Sequence, residues 1–302
     1  MTNNLINLGD LGRPATALIE KISDAVGGIF KPYQIIRLAE VNRIQTESQI
    51  TVTDLQRRAM HRFLEEEAKK QSNIEAITRN ALPLLDDKSA PQNVANDWIT
   101  NFFDKSRIVS DRDMQQLWSR LLAGEANAPG ALSKRTVNLL ADLDKSDAEL
   151  FIRLCGFNWM IIEVLGPLVF DVQGDIYARN GITFETLSHL ESLGLTQFNS
   201  FTGFSRAQLP KTITAFYYGR PANLTFPADV NNSLHIGRVF LTRAGLQLAS
   251  VCGSSPIEGF FDFVYERWAG QSLVPKRETE KVAPGSASTR SDENHETRQN
   301  DS

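Results

Sequence analysis

From Pro14 to Phe30, apolar and polar side chains alternate with the period of a helix, whereas residues 1–13 show no regular pattern. The helix is predicted to begin near Pro14, because proline is well tolerated in a first helical turn. Gly27, Gly28 and Pro32 predict its end. Its apolar face is wide and consists of Ala15, Leu18, Ile19, Ile22, Ala25, Val26, Ile29 and Phe30. A face of this width needs a partner surface, which we expect to be another helix of the same or of a second subunit.

Residues 33–82 carry many charges and a much narrower apolar pattern. We expect one or two long helices here, with a narrow stripe that includes Leu55, Ala59 and Phe63. Such a stripe favours packing against another long helix, from a second subunit or from a partner protein. The segment IQTESQITVTD interrupts the pattern, so a strict coiled coil is not predicted.

Residues 111–140 contain two predicted amphipathic helices joined by a polar turn. Ser110 is the expected N-cap of the first helix, and Asp111 falls in its first turn. Ser133 is the expected N-cap of the second helix. One face of the first helix carries Met114, Leu117, Trp118, Leu121 and Leu122. We expect this pair of helices to lie in a compact helical module.

After residue 157 the pattern changes to short apolar runs bounded by turn residues. The helix TFETLSHLESLGL is followed by the runs TQFN, TITAFYYG, NLTF and IGRVFLT, which we interpret as strands. A helix, RAGLQLASVCG, follows the last run. The order of helix, turn, strands and helix is typical of a winged-helix module. A further helix, PIEGFFDFVYERWAG, precedes a polar tail with almost no apolar residue.

These patterns predict a mainly α-helical chain with a C-terminal α+β part. Residues 1–85 are predicted to form a long N-terminal arm of amphipathic and charged helices. Residues 93–156 are predicted to form the compact helical module. Residues 157–272 are predicted to form a winged-helix-like α+β domain, and residues 273–302 a disordered tail.

Composition narrows the possible functions. The chain has 302 residues and a formal net charge of −4, whereas proteins that coat nucleic acid are normally strongly basic. The two cysteines, Cys155 and Cys252, lie in apolar runs and are expected to be buried thiols in a reducing compartment. A disulfide between them requires that their helices pack side by side. The sequence shows no signal peptide and no membrane-spanning run, so we expect a cytoplasmic location.

The sequence contains no recognisable catalytic or cofactor motif. It lacks a phosphate-binding loop, a dinucleotide fingerprint, a nucleophile elbow and a zinc-ligand spacing. The carboxylates of the helical module lie at helix ends, where capping explains them. We therefore expect no catalytic residue, no cofactor and no metal, and a protein that is not an enzyme.

Several segments resemble a family of bacterial proteins named domain of unknown function 2806. The resemblance rests on QRRAMHRFLEEEAKKQSNIEAI, DWITNFF, LWSRLLAGEANAPGALSKRT and LLADLDKSDAELF. It covers residues 15–160 well and the C-terminal part loosely, and it implies no chemistry. The pieces LWSRLLAGE and DKSDAELF also resemble the helical core of abortive-infection proteins of the Abi-alpha type. This second resemblance implies a role in phage defence without identifying an active residue.

One polar set lies around the turn between the two helices of residues 111–140. It consists of Arg120, Glu125 and Arg135. Two interpretations remain open. These residues can pin the two helices together through charge-assisted hydrogen bonds. Alternatively, they can form a corner that binds an anion or docks a partner.

The winged-helix-like domain provides a nucleic-acid-binding alternative. Its basic residues that would contact DNA are Arg206, Lys211, Arg220, Arg238 and Arg243. However, the helix expected to enter the major groove, TFETLSHLESLGL, carries two glutamates and no lysine or arginine. Phosphate contacts and base readout favour basic side chains, so nucleic-acid binding is disfavoured.

The sequence therefore predicts a non-enzymatic interaction or assembly protein of the bacterial cytoplasm, in the phage-defence context that the second resemblance implies. We expect a homo-oligomer, or a complex with a partner protein, formed through the N-terminal helices. One alternative is a DNA-binding regulator, and another is a peripheral membrane effector that uses residues 14–31. The membrane alternative is disfavoured because the polar face of that helix carries Glu20 and Asp24 and is not cationic.

Overall fold

The computed structural model of the chain describes residues 12–26 and 53–275. The helices in these residues are α1 (Arg13–Val26), α2 (Asp54–Ala81), α3 (Asn96–Ser106), α4 (Arg112–Asn127), α5 (Lys134–Ala141), α6 (Lys145–Cys155), α7 (Asp175–Ala178), α8 (Phe184–Ser192), α9 (Arg243–Ala249) and α10 (Phe260–Gly270). Two short 3₁₀ turns, Leu82–Leu84 and Pro91–Asn93, connect α2 to α3.

The strands all follow helix α6. They are β1 (Asn158–Ile161), β2 (Val164–Pro167), β3 (Thr196–Phe198), β4 (Phe204–Leu209), β5 (Thr212–Tyr217), β6 (Arg220–Thr225), β7 (Asn232–Gly237) and β8 (Val239–Leu241). The mainly helical N-terminal part and the mixed α+β C-terminal part are therefore confirmed.

Helix α1 begins at Arg13, next to its predicted start, and its apolar face lies in the core. Leu18, Ile19 and Ile22 are buried, and α1 packs against α3. Positions 27–52, which include the predicted end of this helix and the start of the next segment, lie outside the described residues. The described part of the apolar face of α1 is thus covered by helix α3 and the Pro91–Asn93 turn of the same chain.

Helices α4 and α5 form the pair predicted for residues 111–140, with one correction at the N-cap. Asp111, and not Ser110, caps α4, because its carboxylate accepts hydrogen bonds from the backbone N–H groups two and three residues ahead, at 3.0 and 3.1 Å. Ser133 caps α5 as predicted. The indole of Trp98 on α3 donates a 2.7 Å hydrogen bond to the Leu132 carbonyl oxygen, which ties α3 to the turn between α4 and α5. The predicted apolar face of α4 is buried.

The C-terminal part is built on a four-stranded antiparallel sheet with the order β2-β1-β5-β6. Helix α10 supplies the aromatic side chains that pack with the sheet. Trp159 on β1 stacks on Tyr217 and on Phe261, with ring centroids 5.3 Å apart in each case. The indole of Trp268 meets Trp159 edge-on at 4.9 Å. Aromatic packing therefore joins α10 to strands β1 and β5.

Two further strand pairs lie outside this sheet. Strand β4 pairs with β7, and β3 pairs with β8, both antiparallel. Helix α8 leads into β3 through a turn at Gly194, whose φ of 77° suits glycine. Thr242 caps α9 and its hydroxyl donates a 2.7 Å hydrogen bond to the Gly194 carbonyl oxygen. Gly245 of α9 lies so close to Leu195 that a Cβ there would overlap the Leu195 carbonyl oxygen.

A single hydrophobic core extends through both parts, from Leu18 to Val274. Val274 is buried, and the Leu273 carbonyl oxygen accepts a 2.8 Å hydrogen bond from the Thr225 N–H. These two residues, with which the predicted tail begins, therefore belong to the core. The rest of that tail, from residue 276, lies outside the described residues. The predicted domain boundaries near residues 85, 93 and 157 stay predictions.

Candidate functional site

Helix α2 is the longest helix among the described residues, and it begins with a complete N-terminal cap. Thr53 and Gln56 form a reciprocal capping box, in which the Thr53 N–H donates a 2.9 Å hydrogen bond to the Gln56 side chain. The helix has 28 residues and is about 42 Å long at the usual rise per residue. All side chains from residue 54 to residue 66 are exposed. The first half of α2 is therefore stabilised by interactions within the helix rather than by packing against other segments.

Ion pairs between side chains one turn apart lie along this exposed half. Arg58 lies 3.0 Å from Asp54, and Arg62 lies 3.4 Å from Glu66. Each of these side chains is at least half exposed, so the pairs contribute only a few tenths of a kcal/mol, about the value of exposed helix pairs. They favour the helical conformation but leave the apolar side chains between them uncovered.

The second half of α2 packs against α4. Asn73 donates a 2.9 Å hydrogen bond to the Arg107 carbonyl oxygen and accepts one of 3.1 Å from the side chain of Gln115. The Ser119 hydroxyl donates a 2.9 Å hydrogen bond to the Ile77 carbonyl oxygen. Buried polar groups fix the position of this half because an unpaired partner would be costly.

An apolar surface runs along the exposed half of α2. We define the α2 stripe as Leu55, Ala59, Met60, Phe63 and Leu64. Leu55 is 68% exposed, Phe63 57%, Leu64 54% and Met60 52%. The sequence predicted three members of this stripe and missed Met60 and Leu64, although these two residues also lie one turn apart. Within the described residues, no other segment covers this surface.

The α2 stripe continues the face that is buried in the second half of the same helix. Asn73, Ile77, Thr78 and Ala81 are buried, and each lies 18 residues after a member of the stripe. Eighteen residues make about five turns, so Leu55, Ala59, Met60 and Phe63 point in the same directions as these buried residues. One face of α2 is thus core at one end and surface at the other.

Most of this helix lies within the segment of the chain that matches a known family. A family model described as Protein of unknown function (DUF2806) matches residues 57–264. The chain belongs to the DUF2806 family. The match begins inside α2 and ends inside α10, so it includes all of the α2 stripe except Leu55. Comparisons of this DUF2806 protein with curated proteins and with solved structures found no match. The resemblance to Abi-alpha proteins stays a prediction.

In the DUF2806 protein, the three residues of the predicted polar corner do not converge on one site. The carboxylate of Glu125 accepts hydrogen bonds from the N–H groups of Gly130 and Leu132, at 2.7 and 2.8 Å, and so closes the turn after α4. Burial raises the pKa of Glu125, and these two hydrogen bonds partly offset the rise. Arg120 donates instead to the carbonyl oxygen of Cys252, at 2.8 Å.

The third corner residue, Arg135, lies in a cleft that neither interpretation of the sequence anticipated. Arg135 of α5 and Arg243 of α9 line this cleft, which has a volume of about 400 Å³. The sequence placed the first residue in the polar corner and the second among the DNA contacts. Two segments more than one hundred residues apart bring them together, so local patterns could not reveal the cleft.

The other predicted DNA contacts lie in separate segments, and three have partners within the protein. Lys211 forms a 2.8 Å ion pair with Asp229. Arg220 lies 3.7 Å from the centre of the Phe261 ring, and Arg238 donates to the carbonyl oxygen of Ser200. The remaining contact, Arg206, lines an apolar pocket beside β1 and β2.

The two cysteines form a buried polar cluster where α6 meets the segment after α9. Both are free thiols and both are buried, and the Cys252 thiol donates a 3.5 Å hydrogen bond to the Ala249 carbonyl oxygen. Burial raises the pKa of Cys155 well above its ordinary value. The neighbouring side chain of Cys155 is the main cause that lowers the pKa of Cys252. Cys155 ends α6, whereas Cys252 lies beyond the end of α9, so the predicted condition of two cysteine-bearing helices packed side by side does not apply.

Within residues 12–26 and 53–275, no group of three or more metal-ligating side chains occurs. In the same ranges, every helix is too short or too polar to cross a bilayer. The α2 stripe is therefore the surface that we regard as the candidate functional site.

Proposed function

We propose that this DUF2806 protein is a non-enzymatic assembly protein that self-associates through the α2 stripe. The observation that carries the proposal is the exposure of Leu55, Met60, Phe63 and Leu64 on a capped helix. Large apolar side chains grouped on one exposed face are typical of interaction surfaces. Isolated exposed apolar residues are common and would not support it.

The occupant we propose is the α2 stripe of a second copy. A helix surface that lacks a hydrophobic groove is best covered by another apolar helix face, and an identical copy provides one. Continuity with the core face supports this, because the buried half of α2 already packs against a helix, α4.

The test is the molar mass of the full chain in solution. A monomer has a mass of 33.7 kDa, and we expect a larger particle at tens of micromolar, near typical interface affinities. The double variant Phe63→Ser, Leu64→Ser should reduce the mass to that of the monomer. Val230→Ser is the matched control, because Val230 is 65% exposed and lies in a loop far from α2 in the chain.

A monomeric wild-type protein at that concentration would contradict the proposal. Point variants are preferable to deletion of residues 1–85, because such a deletion also removes the buried residues Leu18 and Ile77.

For the C-terminal part, we propose a winged-helix-like arrangement made of α7, α8, β3, β8 and α9. The antiparallel β3–β8 pair after α8, followed by α9, supports this assignment. We propose protein contact rather than DNA binding as its use. Helix α8 carries Glu185 and Glu191 and no lysine or arginine, which is unfavourable next to phosphates.

A further inference from the structure

Two arginines from different helices line the cleft between α5 and α9. Arg135 and Arg243 form its walls together with Ser133, Thr242 and Ala244, and none of these residues is acidic. Both arginines are exposed, and neither makes an ion pair or a hydrogen bond with another residue in the described part of the chain. The cleft therefore gathers positive charge that no carboxylate of its own walls balances.

The basic residue next to this cleft in the sequence is neutralised within the protein. Lys134 forms a 2.6 Å ion pair with Asp97, which belongs to α3. The charge available to a ligand at the cleft therefore comes from the guanidiniums of Arg135 and Arg243.

The two walls of the cleft are joined by the side chain of Gln247 on α9. Its amide oxygen accepts hydrogen bonds from the Ser133 N–H and from the Ser133 hydroxyl, at 3.2 and 2.9 Å. Its amide nitrogen donates a 2.6 Å hydrogen bond to the Ala131 carbonyl oxygen. Thr242 is fixed in turn by its hydrogen bond to the Gly194 carbonyl oxygen. Because these contacts hold the cleft in shape before a ligand arrives, binding costs less ordering of the protein.

We propose that this cleft binds a small phosphate monoester, with its phosphate group held between the guanidiniums of Arg135 and Arg243. A guanidinium is planar and can donate two parallel hydrogen bonds to phosphate oxygens. The N-cap of α5, Ser133, lies at the same cleft, so the partial positive charge of that helix end adds to the attraction. The volume of about 400 Å³ lies within the range of small-molecule sites.

The arrangement of charge favours a single dianion over a nucleic acid. A phosphate monoester carries nearly two negative charges at pH 7, which two guanidiniums match. Each phosphate of a nucleic acid carries one charge, and affinity there comes from many basic contacts. Lys211 and Arg238, which were predicted as such contacts, bind other groups of the protein itself.

The site is independent of the α2 stripe and can be tested whether or not the protein self-associates. The experiment titrates glycerol phosphate into the full-length protein by calorimetry, in a phosphate-free buffer at low ionic strength. We expect one molecule bound per chain with a Kd below about 1 mM, as two charge-assisted contacts can provide. Dimethyl phosphate, a diester with one charge, should bind at least about tenfold more weakly.

Substitutions of the two arginines locate the binding. Arg135→Gln and Arg243→Gln should each raise the Kd about tenfold or more, because each removes a charged hydrogen-bonding group. Arg112→Gln is the matched control and should leave the Kd unchanged. Arg112 is also exposed and lies in the first turn of a capped helix, α4, but does not line the cleft.

Thermal unfolding provides a second readout that does not depend on the variants. Glycerol phosphate should raise the unfolding midpoint of the wild type, and sodium chloride at equal ionic strength should not. The same measurement without ligand checks that each variant folds.

Three results would overturn the proposal. The first is the lack of saturable binding by the wild type up to about 10 mM glycerol phosphate. The second is an equal loss of binding in Arg112→Gln, which would indicate general attraction to the surface. The third is tighter binding of a DNA duplex that both cleft variants weaken, because the cleft would then contact a nucleic-acid backbone.

Discussion

The two halves of helix α2 present the same face of the helix to opposite environments. Ala59 is exposed, and Ile77, five turns later, is fully buried; the same holds for Phe63 and Ala81. The second half is held by α4 and by buried hydrogen bonds, whereas the first half is held by its capping box and by exposed ion pairs. An apolar helical face therefore predicts that another surface packs against it. It does not predict whether that surface belongs to the same chain.

The two halves of α2 also carry side chains of different size and polarity at the matched positions. The buried half uses small or polar residues at three of the four matched positions (Asn73, Thr78 and Ala81), whereas the exposed half carries Leu55, Met60 and Phe63. Large side chains are unnecessary where α4 lies close, and they are costly in water unless they bind something. This difference supports a partner for the first half.

The largest expected effect lies in the buried half. Ile77→Ala removes a fully buried side chain between α2 and α4 and should lower the free energy of unfolding by about 2–5 kcal/mol. Urea denaturation measures this change. Leu55→Ala is the matched control on the same helix and should have little effect. Equal effects of the two variants would remove the distinction between the halves.

A smaller effect is expected from the buried hydrogen bonds of the second half. Asn73→Ala removes the donor to the Arg107 carbonyl oxygen and one of the two acceptors of the Gln115 amide, which keeps its hydrogen bond to the Val109 carbonyl oxygen. The free energy of unfolding should fall by about 1–3 kcal/mol, the usual cost of an unsatisfied buried group. The same urea titration measures it, and a neutral result would mean that water replaces the lost amide.

The smallest effect on the isolated chain is expected in the exposed half. Phe63→Ala should change the free energy of unfolding by less than about 0.5 kcal/mol in dilute protein. At high protein concentration the wild type should gain stability from association, and the variant should gain less. The midpoint of thermal unfolding, measured across a dilution series, checks this. A concentration-independent difference would place Phe63 in the core of a single chain.

The sequence predicted those features that depend only on residues close together in the chain. The apolar face from Met114 to Leu122, the cap at Ser133 and the strands β3, β5, β6 and β8 follow from spacing and turn residues, whereas β1, β2 and β4 were not predicted. The cap at Asp111 was assigned one residue too early, because serine and aspartate are both good caps and only the folded backbone distinguishes them.

Features that depend on distant contacts could not be predicted. Arg120 donates to a carbonyl oxygen 132 residues away. Arg135 and Arg243, also more than one hundred residues apart in the sequence, line the same cleft. Cys155 and Cys252 were expected in two helices, whereas Cys252 lies beyond the end of α9. In each case the residue types were visible, but their neighbours are set by the packing of whole helices.

The placement of the tryptophans gives the chain two built-in optical reporters. Trp98 and Trp118 are buried among the helices of the N-terminal part, and Trp159 and Trp268 are buried together in the C-terminal part. Because each pair lies entirely within one part, replacing one pair by phenylalanine leaves emission from the other part alone. The unfolding of each part can then be followed without an attached label, which makes the coupling between the two parts directly observable by fluorescence.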